Sequence, residues 1–168
     1  RRGHKLLKDK LEGLVQEFMP IVEEYGKVRQ RVDEEVPSVL GEFAIAGAAS
    51  GQAEIEAAIE ECRTTLDVEF SQRFVMNVAI PVISLAGFRI ESSYSTVTTT
   101  SDFDRACESM REVFPLLLKL AELEEAVLRM AAEIEKTRRR VNALEYVLIP
   151  KLAAVIKAVS AKRLTAYV

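Results

Sequence analysis

One pattern constrains this chain more than any other. From Phe103 to Val159 apolar or nearly apolar side chains recur at steps of three or four: Phe103, Cys107, Met110, Phe114, Leu117, Leu120, Leu123, Val127, Met130, Ile134, Thr137, Val141, Leu144, Leu148, Leu152, Val155 and Val159. Its 16 steps advance 56 positions, a mean of 3.5, which is the period of a coiled-coil seam. Ser101-Asp102 supplies a helix N-cap ahead of it. A helix over Asp102 to Thr165 is ~95 Å long at ~1.5 Å per residue. A compact domain of 168 residues has a radius of gyration near ~15 Å. The helix must therefore project as a rod, with Pro115 and Pro150 as its blemishes.

A rod with an apolar stripe needs a partner, and the chain carries one. Leu7, Leu11, Leu14, Phe18, Ile21 (or Val22), Tyr25, Val28, Val32, Val36, Val39 and Phe43 form a second stripe. Lys8, Asp9, Glu12, Glu17, Glu23, Lys27 and Arg31 lie between them. Pro20 and Pro37 should each bend this helix locally, and Gly41, Gly47 and Gly51 weaken its far end. A further helical piece follows over Ala53 to Arg63. From Leu66 to Thr100 the helical period disappears. Val68, Phe70, Phe74, Val75, Val78, Ile80, Val82 and Ile83 are β-branched or aromatic, and Gly87 and the run Glu91-Ser-Ser-Tyr-Ser-Thr-Val-Thr-Thr-Thr100 follow. These predict short strands or a hairpin with a loop.

The expected fold is mainly α: a long antiparallel two-helix coiled coil, a helical hairpin rod, with a small β-hairpin-containing middle region. It reads as one elongated domain over 1–168. An N-terminal helical arm spans 1–63, a β-containing middle or tip 64–100, and a long C-terminal arm 101–168. An absence of Trp and 7% aromatic residues suit a helical rod better than a globule.

Charge is distributed along this rod. Residues 1–35 hold eight basic and eight acidic groups, residues 36–100 three and eight, and residues 101–168 twelve and ten. Residues 136–168 hold eight basic groups against Glu145 alone, and the first ten residues hold five against Asp9 alone. Antiparallel pairing brings these two stretches together, giving a basic end with the termini and an acidic opposite end. Two such ends fit different partners, although scattered solvated charge is the plainer account. The densest feature is Lys136-Thr-Arg-Arg-Arg140. With Thr137 and Val141 on the seam, Arg138 and Arg140 flank it and Arg139 points away, because successive helix residues turn by ~100°. Guanidinium groups in such a collar suit docking to carboxylates. Glu135, one turn before Arg139, makes a solvated face the alternative.

Enzymatic chemistry has no constellation here. GxxxxGK[ST] fails at Gly47-Ala-Ala-Ser-Gly51-Gln, and GxGxxG and GxSxG are missing. Cys62, Cys107 and the single His4 have no metal-ligand spacing, so no metal or other cofactor is expected. The two cysteines read as reduced, cytosolic residues. Glu23-Glu24, Glu60-Glu61 and Glu124-Glu125 are adjacent and share no helix face. Tyr25 and Tyr146 read as seam or seam-edge packing. A net charge of −3 and a basic cluster without interleaved aromatics argue against nucleic acid. The apolar run Phe74 to Phe88 holds Asn77 and Pro81 and is shorter than the ~20 residues of a membrane helix. No signal peptide is visible. The chain opens on Arg1 rather than Met, as a piece of a longer protein would.

EIEKTRRRVNALEYVLIPKL, residues 133–152, resembles the D subunit of the V-type and archaeal A-type rotary ATPases. RRGHKLLKDK at 1–10 and LLLKLAELE at 116–124 are similar to the same family. The resemblance covers the two arms, about two thirds of the chain, and extends to the middle only in kind, through a short β-hairpin. It implies a non-catalytic central rotor shaft that transmits torque between a ring of catalytic and regulatory ATPase subunits and an ion-carrying membrane ring. Its implied partners are the small F subunit of the rotor, the ring subunits, and the funnel subunit above the membrane ring. It implies a cytoplasmic place, peripheral to the membrane and without insertion into it. Contact with the ring falls on Arg138, Arg139, Arg140 and Asn142, with Glu145 a weaker candidate; Val141, Leu144 and Leu148 go to the seam. Family members also begin upstream of residue 1 and continue past residue 168, and Pro20 and Pro37 sit awkwardly in a straight shaft. Two other readings compete. A prefoldin-like holdase joins coiled-coil arms through β-hairpins, but should expose apolar arm tips where this chain has basic ends. A generic coiled-coil scaffold explains the rod and not TRRRVNALEY.

Overall fold

The N-terminal stripe folds as α1 (Arg2–Ser50), a single helix of 49 residues. The computed structural model describes residues 2–91 and 101–165. Every stripe residue from Leu7 to Phe43 is buried or half-buried, while the charged positions between them face water. The periodicity thus names the packed face. Pro20 and Pro37 lie on the exposed side, and α1 continues through both. It ends where Gly51, at φ 99°, turns the chain, a conformation an L side chain rarely adopts. α2 (Gln52–Glu61) follows, close to the expected Ala53 to Arg63.

The C-terminal arm is α3 (Ser101–Ala143), a π-helical turn over Leu144–Leu148, and α4 (Ile149–Thr165). α1 and α3 pack antiparallel along their length. Leu14, Ile21, Leu123, Ala126 and Met130 form one buried cluster midway along the pair, with Phe18, Tyr25, Val28, Val127 and Ile134 against it. Lys10 Nζ lies 2.9 Å from Glu133 Oε1, and Lys119 Nζ 3.6 Å from Glu24 Oε1. These pairs fix the antiparallel register from the side.

The middle differs from expectation in length and place. β1 (Arg63–Val75) and β2 (Val78–Glu91) have 13 and 14 residues, a long ribbon rather than short strands. They pair antiparallel from Val75↔Val78 to Arg63↔Glu91, with a bulge where Asp67/Val68 oppose Gly87/Leu85. Met76 and Asn77 form the turn with φ of 49° and 68°, the mirror-image turn that matches strand twist. The loop expected over 92–100 lies outside the described residues.

The ribbon does not cap the rod. It lies back along it. Val78 and Ile80 join the buried cluster of Leu14, Ile21, Leu123 and Met130. The Met76 side chain sits where a Cβ on Gly13 would be, 2.6 Å from its Cε. Phe88, near the ribbon's base, stacks on Phe114 with ring centroids 4.6 Å apart. Val75↔Val78 and Leu66↔Phe88 lie on opposite faces of the ribbon by register. Strand twist, increased by the bulge, therefore turns the ribbon over between its ends. The tip is closed instead by α2: Ala46, Ile55, Ala58 and Phe103 are buried together, with Phe43 edge-on to Phe103 at 6.0 Å. The physical reason is apolar area: the β-branched face of β2 finds a larger partner beside the helix pair than beyond its end.

A second correction concerns the far end of the seam. Leu148 is 45% exposed and Tyr146 72% exposed, although the period places both on or beside the seam. The π turn is the cause. Ile149 N–H bonds the carbonyl of Leu144, five residues back, so the residue stacked under Leu144 is Ile149 and not Leu148. Ile149 is half-buried as this requires. Pro150 explains the turn, because it lacks an N–H and crowds the carbonyl four residues back.

Candidate partner-binding surfaces of the rod

The terminal end of the rod is where the basic stretches meet. His4 Nε2 stands 3.4 Å from Glu145 Oε2, and Lys10 bonds Glu133. Residues 2–10 therefore lie beside residues 133–145, the juxtaposition expected from antiparallel pairing of the arms. Thr137 is 1% exposed and Val141 6% exposed on the seam, and Leu144 is half-buried. Arg138, Arg139, Arg140 and Asn142 are all exposed around them. The helix turn alone produces this: two buried positions four apart leave the residues between them facing out.

The three arginines differ in company. Arg139 is held by Glu135 one turn back, as the solvated-face alternative anticipates. Among the described residues Arg138 and Arg140 have no ion-pair partner. Arg140 borders an open groove lined by Leu7, Ala143, Leu144, Val147 and Leu148. An apolar floor with a guanidinium at its rim suits a protein segment that carries a carboxylate beside an apolar side chain. Glu133 is held below the usual carboxylate range, first by its hydrogen bond from Lys10, against the opposing effect of burial, and further by the charges of Lys10, Lys136 and Arg140. Glu145, with a side chain 49% exposed, stands at the same level.

Beyond the collar the apolar stripe lies open among the described residues. Val147, Leu148, Leu152, Val155, Ile156 and Val159 are each at least 45% exposed. Sequence reasoning missed a different set, the residues that hold the ribbon. Phe114, which the period places on the seam, falls with Glu122 and Arg129 on one face of α3 at steps of eight and seven, and only Glu122 and Arg129 went unnamed. Glu122 Oε2 accepts from the N–H of Ile83 at 2.8 Å, and Arg129 Nη1 donates to the carbonyl of Ala79 at 3.0 Å. The available signal was two long charged residues flanking the seam opposite a segment with no helical partner.

Among the described residues no helix is long and apolar enough to cross a membrane, and no group of three or more His, Cys, Asp or Glu could hold a metal ion.

A family model for the D subunit of ATP synthase matches residues 1–163. The V-type ATP synthase D subunit of Acetivibrio thermocellus is 38% identical over 166 residues, covering 96% of this chain and 75% of that protein. The A-type ATP synthase D subunit of Thermococcus sibiricus is 35% identical over 162 residues, covering 95% and 76%. The V-type ATP synthase D subunit of Fusobacterium nucleatum is 38% identical over 165 residues, covering 96% and 78%.

Proposed function

The chain belongs to the D-subunit family of ATP synthases, and on that premise we propose that it is the central rotor shaft of a V/A-type rotary ATPase. In this reading it carries torque between a catalytic ring and the ion-translocating membrane ring and has no catalytic site of its own. The observation that supports it is the seam. α1 and α3 interlock over most of their length through buried positions three and four apart. Twisting one helix against the other requires pulling these side chains out of their holes. The ribbon adds a third element bonded to α3 at Glu122 and Arg129.

The shaft's partners are the catalytic and regulatory ring subunits at the basic end, the small F subunit of the rotor on its side, and a funnel subunit at the acidic tip. It works on the cytoplasmic side, peripheral to the membrane. Arg138, Arg139, Arg140 and Asn142, with Glu145, contact the ring. A one-sided collar presents different charge to each ring subunit as the shaft turns, which a symmetric belt would not do.

The test is the assembled ATPase carrying Arg138→Ala, Arg139→Ala and Arg140→Ala together. The expected result is a complex that assembles and hydrolyses ATP but loses ATP-driven rotation. Unchanged rotation would remove the collar from the mechanism. A full-length parent protein that captures neither an F-like subunit nor ring subunits would remove the shaft reading itself.

A further inference from the structure

Among the described residues the hairpin leaves one edge unused. The N–H of Ile83 points out of the ribbon to Glu122, and the carbonyl of Ala79 points out to Arg129. In an antiparallel ladder, opposed residues turn their N–H and C=O groups both inward or both outward, alternating along the strand. Phe70 opposes Ile83 and Phe74 opposes Ala79. Phe70 and Phe74, and with them Val68 and Gln72, therefore turn their backbone groups away from β2. Pro81, opposite Gln72, fits the same phase, since it lacks the N–H that would point outward.

The two edges are protected unequally. The outer edge of β2 is bonded by side chains of α3 and carries Pro81 and the bulge. β1 has no Pro and no extra residue, and 11 of its 13 positions are exposed. A long edge uncovered by the described residues is a template for another strand. Beside it Leu66, Phe70 and Phe74, all on one face, are 47%, 77% and 71% exposed. The other face carries Asp67, Glu69 and Arg73, and among the described residues Asp67 and Arg73 have no ion-pair partner.

We propose that the free chain pairs with a second copy of itself along β1, antiparallel and with Phe70 opposite its twin, into one four-stranded sheet. The sequence of β1 is complementary to itself in this register. Phe70 meets Phe70, Leu66 meets Phe74 twice, and Asp67 meets Arg73 twice. Centring the pair on Glu69 would instead oppose two carboxylates. The contact is isologous and closes at two chains. It concerns the chain before assembly, so it stands or falls separately from the shaft reading.

Sedimentation of the purified chain tests it. The unaltered chain should run as a dimer. Arg73→Asp alone, and Asp67→Arg alone, each place like charges opposite one another twice, and self-association should weaken by about tenfold or more. An equimolar mixture of those two variants restores both ion pairs and should dimerise again. Gln72→Pro removes an outward N–H without touching the β1–β2 ladder, and should give a folded monomer with unchanged circular dichroism. Leu152→Lys with Val155→Lys, on the exposed stripe of α4, should leave the dimer intact. A monomeric unaltered chain, a dimer lost in the α4 variant, or no recovery in the mixture would each overturn the proposal.

Discussion

The main-chain N–H of Ile83 donates to Glu122 Oε2 at 2.8 Å, from a strand to a carboxylate that is 6% exposed on α3. The other carboxylate oxygen accepts from Lys119 at 2.7 Å, and Lys119 stands 3.6 Å from Glu24. One buried acid thus joins the ribbon to α3 and, through Lys119, to α1. Burial pulls the Lys119 ammonium down, but its bond to Glu122 and the charges of Glu122 and Glu24 outweigh that and hold it raised. Glu122→Ala strands the Ile83 N–H and should cost about 2–3 kcal/mol, or roughly 5–10 °C in Tm for a chain of this size. Glu122→Gln keeps an acceptor for Ile83 and should cost less. Hydrogen exchange at Ile83 is the specific check, and full protection of that amide in the alanine variant would contradict the account.

The Lys10–Glu133 pair, 2.9 Å apart, makes stability depend on pH in one direction. Glu133 is depressed chiefly by the Lys10 hydrogen bond, so the unfolded chain takes up this proton at higher pH than the folded one. The contribution is therefore complete above the usual carboxylate range and is lost as pH falls through the folded value. Both side chains are partly exposed, which limits the pair to up to about 1 kcal/mol. Lys10→Met should melt below the unaltered chain at neutral pH, and the gap should close by about pH 2. A gap independent of pH would mean that Lys10 acts through packing of its stem.

Those two contacts also mark where the sequence can be read and where it cannot. The seam was legible because burial on a helix repeats with the helix itself: every position from Leu7 to Phe43 in the N-terminal stripe lies inward. The collar was legible for the same reason, since Thr137 and Val141 orient Arg138 to Arg140. The lie of the ribbon was not. Val78 and Ile80 announce a buried strand, but nothing local tells them to choose Leu14 and Met130 over the tip. The turn was hidden because Met76, a residue seldom found at positive φ, occupies a position usually given to Asn or Gly. Leu148 failed because a period counts residues, and the π turn ahead of Pro150 adds one.

That failure separates two leucine-sized positions that the period treats alike. Met130 is 0% exposed in the central cluster, and Leu148 is 45% exposed at the end of the π turn. Met130→Ala should cost about 2–5 kcal/mol, because the cavity it leaves is walled by Leu14, Ile21 and Leu123. Leu148→Ala should stay within about 0.5 kcal/mol. Denaturant unfolding of the two variants decides between the structure and the unbroken heptad. Equal losses would place Leu148 on the seam.

Cys62 and Cys107 both pack against the cluster that closes the tip, which sets their reactivity. Burial pushes the Cys107 thiol up to about 11, with smaller contributions from Cys62 and Asp104 and an opposing one from Arg111. Burial, and then Glu61, also raises Cys62. Only the thiolate attacks an alkylating agent, and an unperturbed cysteine near pH 8.5 is already partly ionised at neutral pH. Folded Cys107 should therefore react with iodoacetamide roughly two orders of magnitude more slowly at neutral pH than the same residue in the denatured chain. Its rate should keep rising with pH well past the point where a free thiol levels off. A Cys107 rate in the folded chain equal to that in denaturant would show that the α2 end of the rod opens freely. The packing of Ala46, Ile55, Ala58 and Phe103 would then not be what closes the tip.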